Sequence, residues 1–122
     1  MDISDTVARG RALANACEDY TGLYELVWEF NAQFPTAPPA ERLRAAQTAL
    51  SGLVHDGLAV VYHTKWLTDE YTELLPSEAV ALVADPEAWR SPADTPDSRY
   101  YCFASTDRGE DEYRRHSDQS RS

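Results

Sequence analysis

The chain is poor in lysine, methionine, cysteine and glycine, and poorest in positive charge: 11 basic side chains stand against 21 acidic ones in 122 residues. Each scarcity excludes something. The two cysteines, Cys17 and Cys102, fall in separate expected elements with neither CxxC nor His-paired spacing. That argues against a disulfide framework or a zinc site and for two reduced core thiols. No 18 apolar residues run together, so no membrane-spanning helix is expected. The opening MDISD is acidic and has no apolar core of signal-peptide length, so the expected compartment is the cytoplasm. The net charge of −10, with a pI near 4.6, repels phosphate backbones and favours basic partners. No P-loop, GxSxG, HExxH or dinucleotide glycine pattern occurs. No catalytic, cofactor-binding or metal-binding residue is therefore assigned, and a non-enzymatic protein is expected.

What is present is enough for a core. With 43% hydrophobic residues, a single domain over residues 1–116 is expected, with an insertion at about 64–98 and a disordered tail at 117–122. Ser4 or Asp5 caps a first expected helix reaching about residue 19, with Val7, Leu13, Ala14 and Cys17 as its apolar stripe. In YTGLYELVWEFNAQF, the residues Leu23, Leu26, Val27, Phe30 and Phe34 recur at helical spacing until Pro35 stops the helix. After PTAPP, the same period returns in Leu43, Ala46, Leu50, Leu53 and Val54, and Gly57 is suited to end that helix. From Leu58 to His63 the period becomes two, and RYYCFAS at 99–105 repeats it, so these two runs are expected to pair antiparallel. The long stretch between them holds its own short helix, at about 76–84. Thr106 caps a last helix to about residue 115.

Two segments, ALSGLVHDGLAVVY and ASTDRGEDEY, carry a resemblance. The first is similar to the L-x-x-L-x-x-x-G-L-V segment of winged-helix domains, and the second resembles the T-x-x-G-x-x-x-Y/L close of the second wing strand in MarR- and PadR-type regulators. The resemblance implies an α+β, winged-helix-like fold with a small antiparallel sheet and, here, a long acidic insertion between the wing strands. It also implies DNA binding through the helix at 40–56, where Arg42, Arg44, Gln47, Thr48 and Ser51 would make the contacts, in a homodimer on paired half-sites. The charge opposes that function. The stretch 63–99 carries Asp69, Glu70, Glu73, Glu78, Asp85, Glu87, Asp94 and Asp97 against Lys65, Arg90 and Arg99, and such a wing would be pushed off a duplex. Only PTAPPA separates Phe34 from Glu41, so the turn and short helix before the reading helix are expected to be shortened.

The surplus of aromatic residues points elsewhere. Tyr20, Tyr24 and Trp28 recur at i, i+4 and i+8 as a second stripe beside the apolar one, and Trp66, Tyr71 and Trp89 lie in the insertion. Such side chains either bury the insertion against the domain or supply the anchors of a protein interface. Together with the acidic field they make another protein, one with a basic surface, the expected partner, with a homodimer as a further possibility. Glu25 and Glu29, one turn apart, are expected on a solvated face. His55, Asp56 and His63 have the nearest spacing to a catalytic or metal site but lack a third member.

Overall fold

The computed structural model describes residues 3–95 and 98–120, giving only the backbone course of 116–120. Helix α1 (Asp5–Glu18) starts at Ser4, whose hydroxyl accepts the Val7 N–H at 3.4 Å. A two-residue strand, β1 (Thr21–Gly22), leads directly into α2 (Leu23–Gln33), which ends two residues before Pro35. Helix α3 (Pro39–His55) opens on proline, whose missing N–H costs nothing in a first turn. It closes in a Schellman motif: Gly57 takes φ +75°, its N–H donates to the Val54 carbonyl at 3.1 Å, and the Leu58 N–H donates to the Leu53 carbonyl at 2.8 Å.

Strand β2 (Ala59–Lys65) follows at once, then β3 (Thr72–Glu73), α4 (Pro76–Val83), β4 (Arg99–Ser105) and α5 (Asp107–Ser120). The sheet is antiparallel throughout, in the order β1-β4-β2-β3. Its centre is an unbroken ladder between β2 and β4, from Ala59 opposite Ser105 to Lys65 opposite Arg99. The architecture is α+β and compatible with a winged-helix-like arrangement, the insertion lying between β2 and β4.

Period two divides the ladder into two faces. Val61 and Phe103, opposite each other, point inward and are fully buried with Leu23, Leu26 and Phe30 of α2 and Leu50 and Leu53 of α3. The α1 stripe differs from expectation. Val7 is exposed, whereas Ala8, Ala12, Leu13 and Ala16 are buried against Ala46 and Ala49 of α3. Small residues at i, i+4 and i+8 let the two helices approach closely, a seam that a reading by large apolar side chains does not show.

Three further expectations change. Before α3 there is only the short turn, residues 34–38, and the helix that precedes it is the 11-residue α2 itself. Strands β1 and β3, of two residues each, leave no mark in the sequence, being too short for a period to declare itself. Helix α5 runs to Ser120, through backbone expected in the tail, and residues 121–122 lie outside the described residues.

One junction ties α5 to the rest. The Thr106 hydroxyl donates to the Gly57 carbonyl at 2.7 Å and accepts the Gly109 N–H at 3.0 Å, while the Thr106 N–H donates to the Leu58 carbonyl at 3.1 Å. A Cβ on Gly109 would collide with that carbonyl, whereas one on Gly10 in α1 would meet nothing within 4 Å. Gly109→Ala is therefore expected to destabilise the fold by about 1–3 kcal/mol. Gly10→Ala should stabilise it by about 0.5–1 kcal/mol. Urea denaturation checks both, and equal effects of the two substitutions would contradict the close approach of α5.

A candidate protein-binding face on the outside of the sheet

The outer face of the ladder carries Val60, Tyr62 and Thr64 on β2 opposite Ala104, Cys102 and Tyr100 on β4. Gly22 of β1 extends this row beside Cys102, and Glu73 of β3 extends it beside Tyr62. Aromatic rings cover this face. Tyr20 stacks on Tyr71 of the insertion at 4.5 Å between centroids and meets Tyr62 edge-on at 5.3 Å. Gly22, lacking a Cβ, leaves room for the Tyr24 ring, which stands edge-on to Trp28 at 5.0 Å and to Tyr100 at 5.7 Å. Beneath them Cys102 is 1% exposed.

The six aromatic residues picked out in the sequence therefore separate into three groups. Tyr20 and Tyr71, both partly open, lock the insertion onto the start of α2's stripe. Trp89 is buried, its indole N–H donating to the Val83 carbonyl at 2.9 Å, so it anchors the insertion. Tyr24, Trp28 and Trp66 line an apolar groove of about 370 Å³, completed by Ser91, Pro92, Ala93 and Ser98. Tyr24 is buried in its floor, but Trp28 is 59% and Trp66 50% exposed. Trp66 is held out by a tight turn in which the Thr68 N–H and hydroxyl both donate to the Lys65 carbonyl, at 3.2 and 2.9 Å. In that turn Leu67, 88% exposed, adopts φ +66°, a left-handed conformation that a bulky side chain takes at a cost of about 1–2 kcal/mol.

Sequence reasoning missed Tyr62, Tyr100 and the Ser91–Pro92–Ala93 wall. The parity of β2 and β4 already put both tyrosines on the face opposite Val61 and Phe103. The wall has no such signal, because only the fold of the insertion brings it back to Trp28.

The residues expected to read DNA are placed differently. Helix α4 packs along α3, burying Ala79 and Val83. The Gln47 side-chain amide donates to the Ala84 carbonyl at 3.3 Å, and Gln47 and Ser51 line the seam with Val80 and Val83. Arg42 is half-buried, and its Nε is buried without a partner. Arg44 and Thr48 are exposed, in shallow hollows beside Asp5 and Glu41 on one side and α4 on the other. Asp69, Glu70, Glu73, Glu78, Asp85, Glu87 and Asp94 are all exposed, whereas Asp97 lies outside the described residues.

Glu25 and Glu29 each serve the fold. Glu25 accepts the Gly22 N–H at 2.9 Å at the start of α2, and half-buried Glu29 accepts from the Asn15 amide and lies 4.0 Å from Arg11. His63 faces inward beside the Tyr101 ring, 5.2 Å away. His55 lines a polar cleft with Arg108 and with Asp56, which is paired to Arg9 at 2.7 Å. Among the described residues no group of three or more His, Cys, Asp or Glu is placed to hold a metal ion. No described helix is long and apolar enough to cross a membrane. Compared with family models, curated proteins and solved structures, the chain matches none.

Burial pushes the Tyr100 phenol and the Cys102 thiol each up to about 12 and raises Tyr24 and Tyr62; the Glu25 carboxylate adds to the effect at Tyr24, Tyr100 and Cys102. Burial also raises Cys17, so both free thiols are protonated and unreactive near neutrality. These groups keep their protons in the fold at a pH where the unfolded chain releases them. Their contribution to stability is thus complete below their ordinary values, 9.0 for the thiol and 10.0 for the phenols, and is lost as pH rises towards about 12. The urea midpoint is expected to fall through that window, and a midpoint unchanged across it would contradict the aromatic cover of the sheet.

Proposed function

We propose that this chain is a non-enzymatic, acidic, winged-helix-like module that acts by binding another protein, one with a basic surface, in the cytoplasm. The observation that carries the reading is the pair Trp28 and Trp66, two half-exposed indoles that line one apolar groove. Large aromatics exposed beside a cavity are the side chains that anchor protein interfaces. The charge of −10 supports a basic partner and works against nucleic acid and against a second copy of the chain. The alternative, DNA reading through α3, loses support because Gln47 is committed to Ala84, Ser51 faces α4, and the acidic insertion would have to approach the same duplex.

Affinity capture with the wild-type chain is expected to retain a partner that the double variant Trp28→Ala/Trp66→Ala retains at least about tenfold less, since each such anchor contributes about 2 kcal/mol. Recovery of free monomer or of the chain itself alone, or equal recovery by the double variant, overturns the reading. Fluorescence anisotropy with mixed genomic fragments at low salt should show no shift at micromolar protein. A shift abolished by Arg44→Ala would establish the DNA-reading alternative instead.

A further inference from the structure

Among the described residues that line the groove of Trp28 and Trp66 none is charged, yet the groove opens on a strongly acidic protein, and these two properties together select its occupant. Tyr24 and Trp28 meet edge to face, and Tyr100 backs them, 5.7 Å from Tyr24 and 6.2 Å from Trp66. Two exposed carboxylates adjoin the lining in sequence, Glu25 after Tyr24 and Asp94 after Ala93. Arg90, before Ser91, is paired with Glu87 at 2.7 Å; the other exposed cations adjoining the lining are Lys65, before Trp66, and Arg99, after Ser98 and opposite Lys65 in the ladder, so the acidic field at the groove is that of the whole chain.

Possible occupants use this setting unequally. An apolar side chain would gain from the rings and nothing from the field. A carboxylate, a phosphate or an anionic membrane would be opposed by the field, and a second copy would bring a further −10 charges. A cation gains from both, because the face of an indole attracts positive charge within about 6 Å of the ring centre. Arginine fits better than lysine: its planar, weakly hydrated guanidinium stacks on aromatic faces and is less costly to take out of water. Resting on the protein-binding reading above, we infer that the groove holds an arginine side chain from a basic segment of the partner, stacked against Trp28 and Trp66.

The test is a titration of the full chain with a capped Gly-Arg-Gly-Arg-Gly peptide and its glutamine counterpart at low salt, followed by tryptophan emission and by calorimetry. Buried Trp89 is shielded, so the emission change reports Trp28 and Trp66. Saturable binding of the arginine peptide is expected, at least about tenfold tighter than the glutamine peptide and weakening as salt is added. Trp28→Ala and Trp66→Ala should each weaken it by at least about fivefold with unchanged far-ultraviolet circular dichroism, since both side chains are half-exposed. Lys65→Gln should tighten it. Equal binding of the two peptides overturns the inference in favour of an apolar occupant and leaves the protein-binding reading standing. Binding that survives in both tryptophan variants places the arginine elsewhere on the acidic surface and overturns it as well. Failure of both peptides to bind also overturns it, and partner capture alone then decides the protein-binding reading.

Discussion

The carbonyl and N–H of Leu58 are the point on which three elements converge. The N–H closes α3 onto Leu53, the carbonyl receives Thr106 at the end of β4, and the bare Cα of Gly109 lets α5 lie against that same peptide group. Because β2 begins one residue later, the direction in which α3 ends is also the direction in which the central ladder starts. A junction fixed by backbone groups and the single hydroxyl of Thr106 tolerates little change in position. It accounts for the role of two of the few glycines, Gly57 for its positive φ and Gly109 for its missing side chain.

From that junction the ladder acquires two unlike faces. One is a mixed apolar core packed by helices, with Phe30 and Phe103 among its aliphatic side chains, and the other is covered by single rings rather than by a helix. Rings cover a sheet less completely than a helix does. Cys102 is sealed beneath them, while Trp28 and Trp66 at the margin stay half in water and border a cavity. The candidate binding surface is thus the unfinished edge of a second, aromatic core.

Much of this was legible in the sequence, for identifiable reasons. The period of two marks β4 at its observed bounds and β2 to within two residues of them, because seven residues suffice for such a period to show. The closure of α3 was legible because Asp-Gly after an apolar helix has few other meanings. The buried face of α1 was misread because alanine carries little hydrophobic weight, although close helix packing depends on it. The six aromatic candidates stand out in the sequence by their spacing and number, but their division into lock, anchor and groove depends on where the insertion turns back, and no local pattern encodes that. The covering of α3 by α4 was hidden for the same reason: the apolar residues of α4 could equally have faced the sheet.

The insertion has a further property. Trp89, whose buried indole holds the Val83 carbonyl at the end of α4, is followed after one residue by Ser91, Pro92 and Ala93, which form the groove wall. The cover of one helix and the wall of the groove are thus successive links of a single short strap. Neither surface can be remodelled alone: a sequence that widens the groove by moving this strap also slackens the lid over α3, so the two surfaces are bound to vary as one unit.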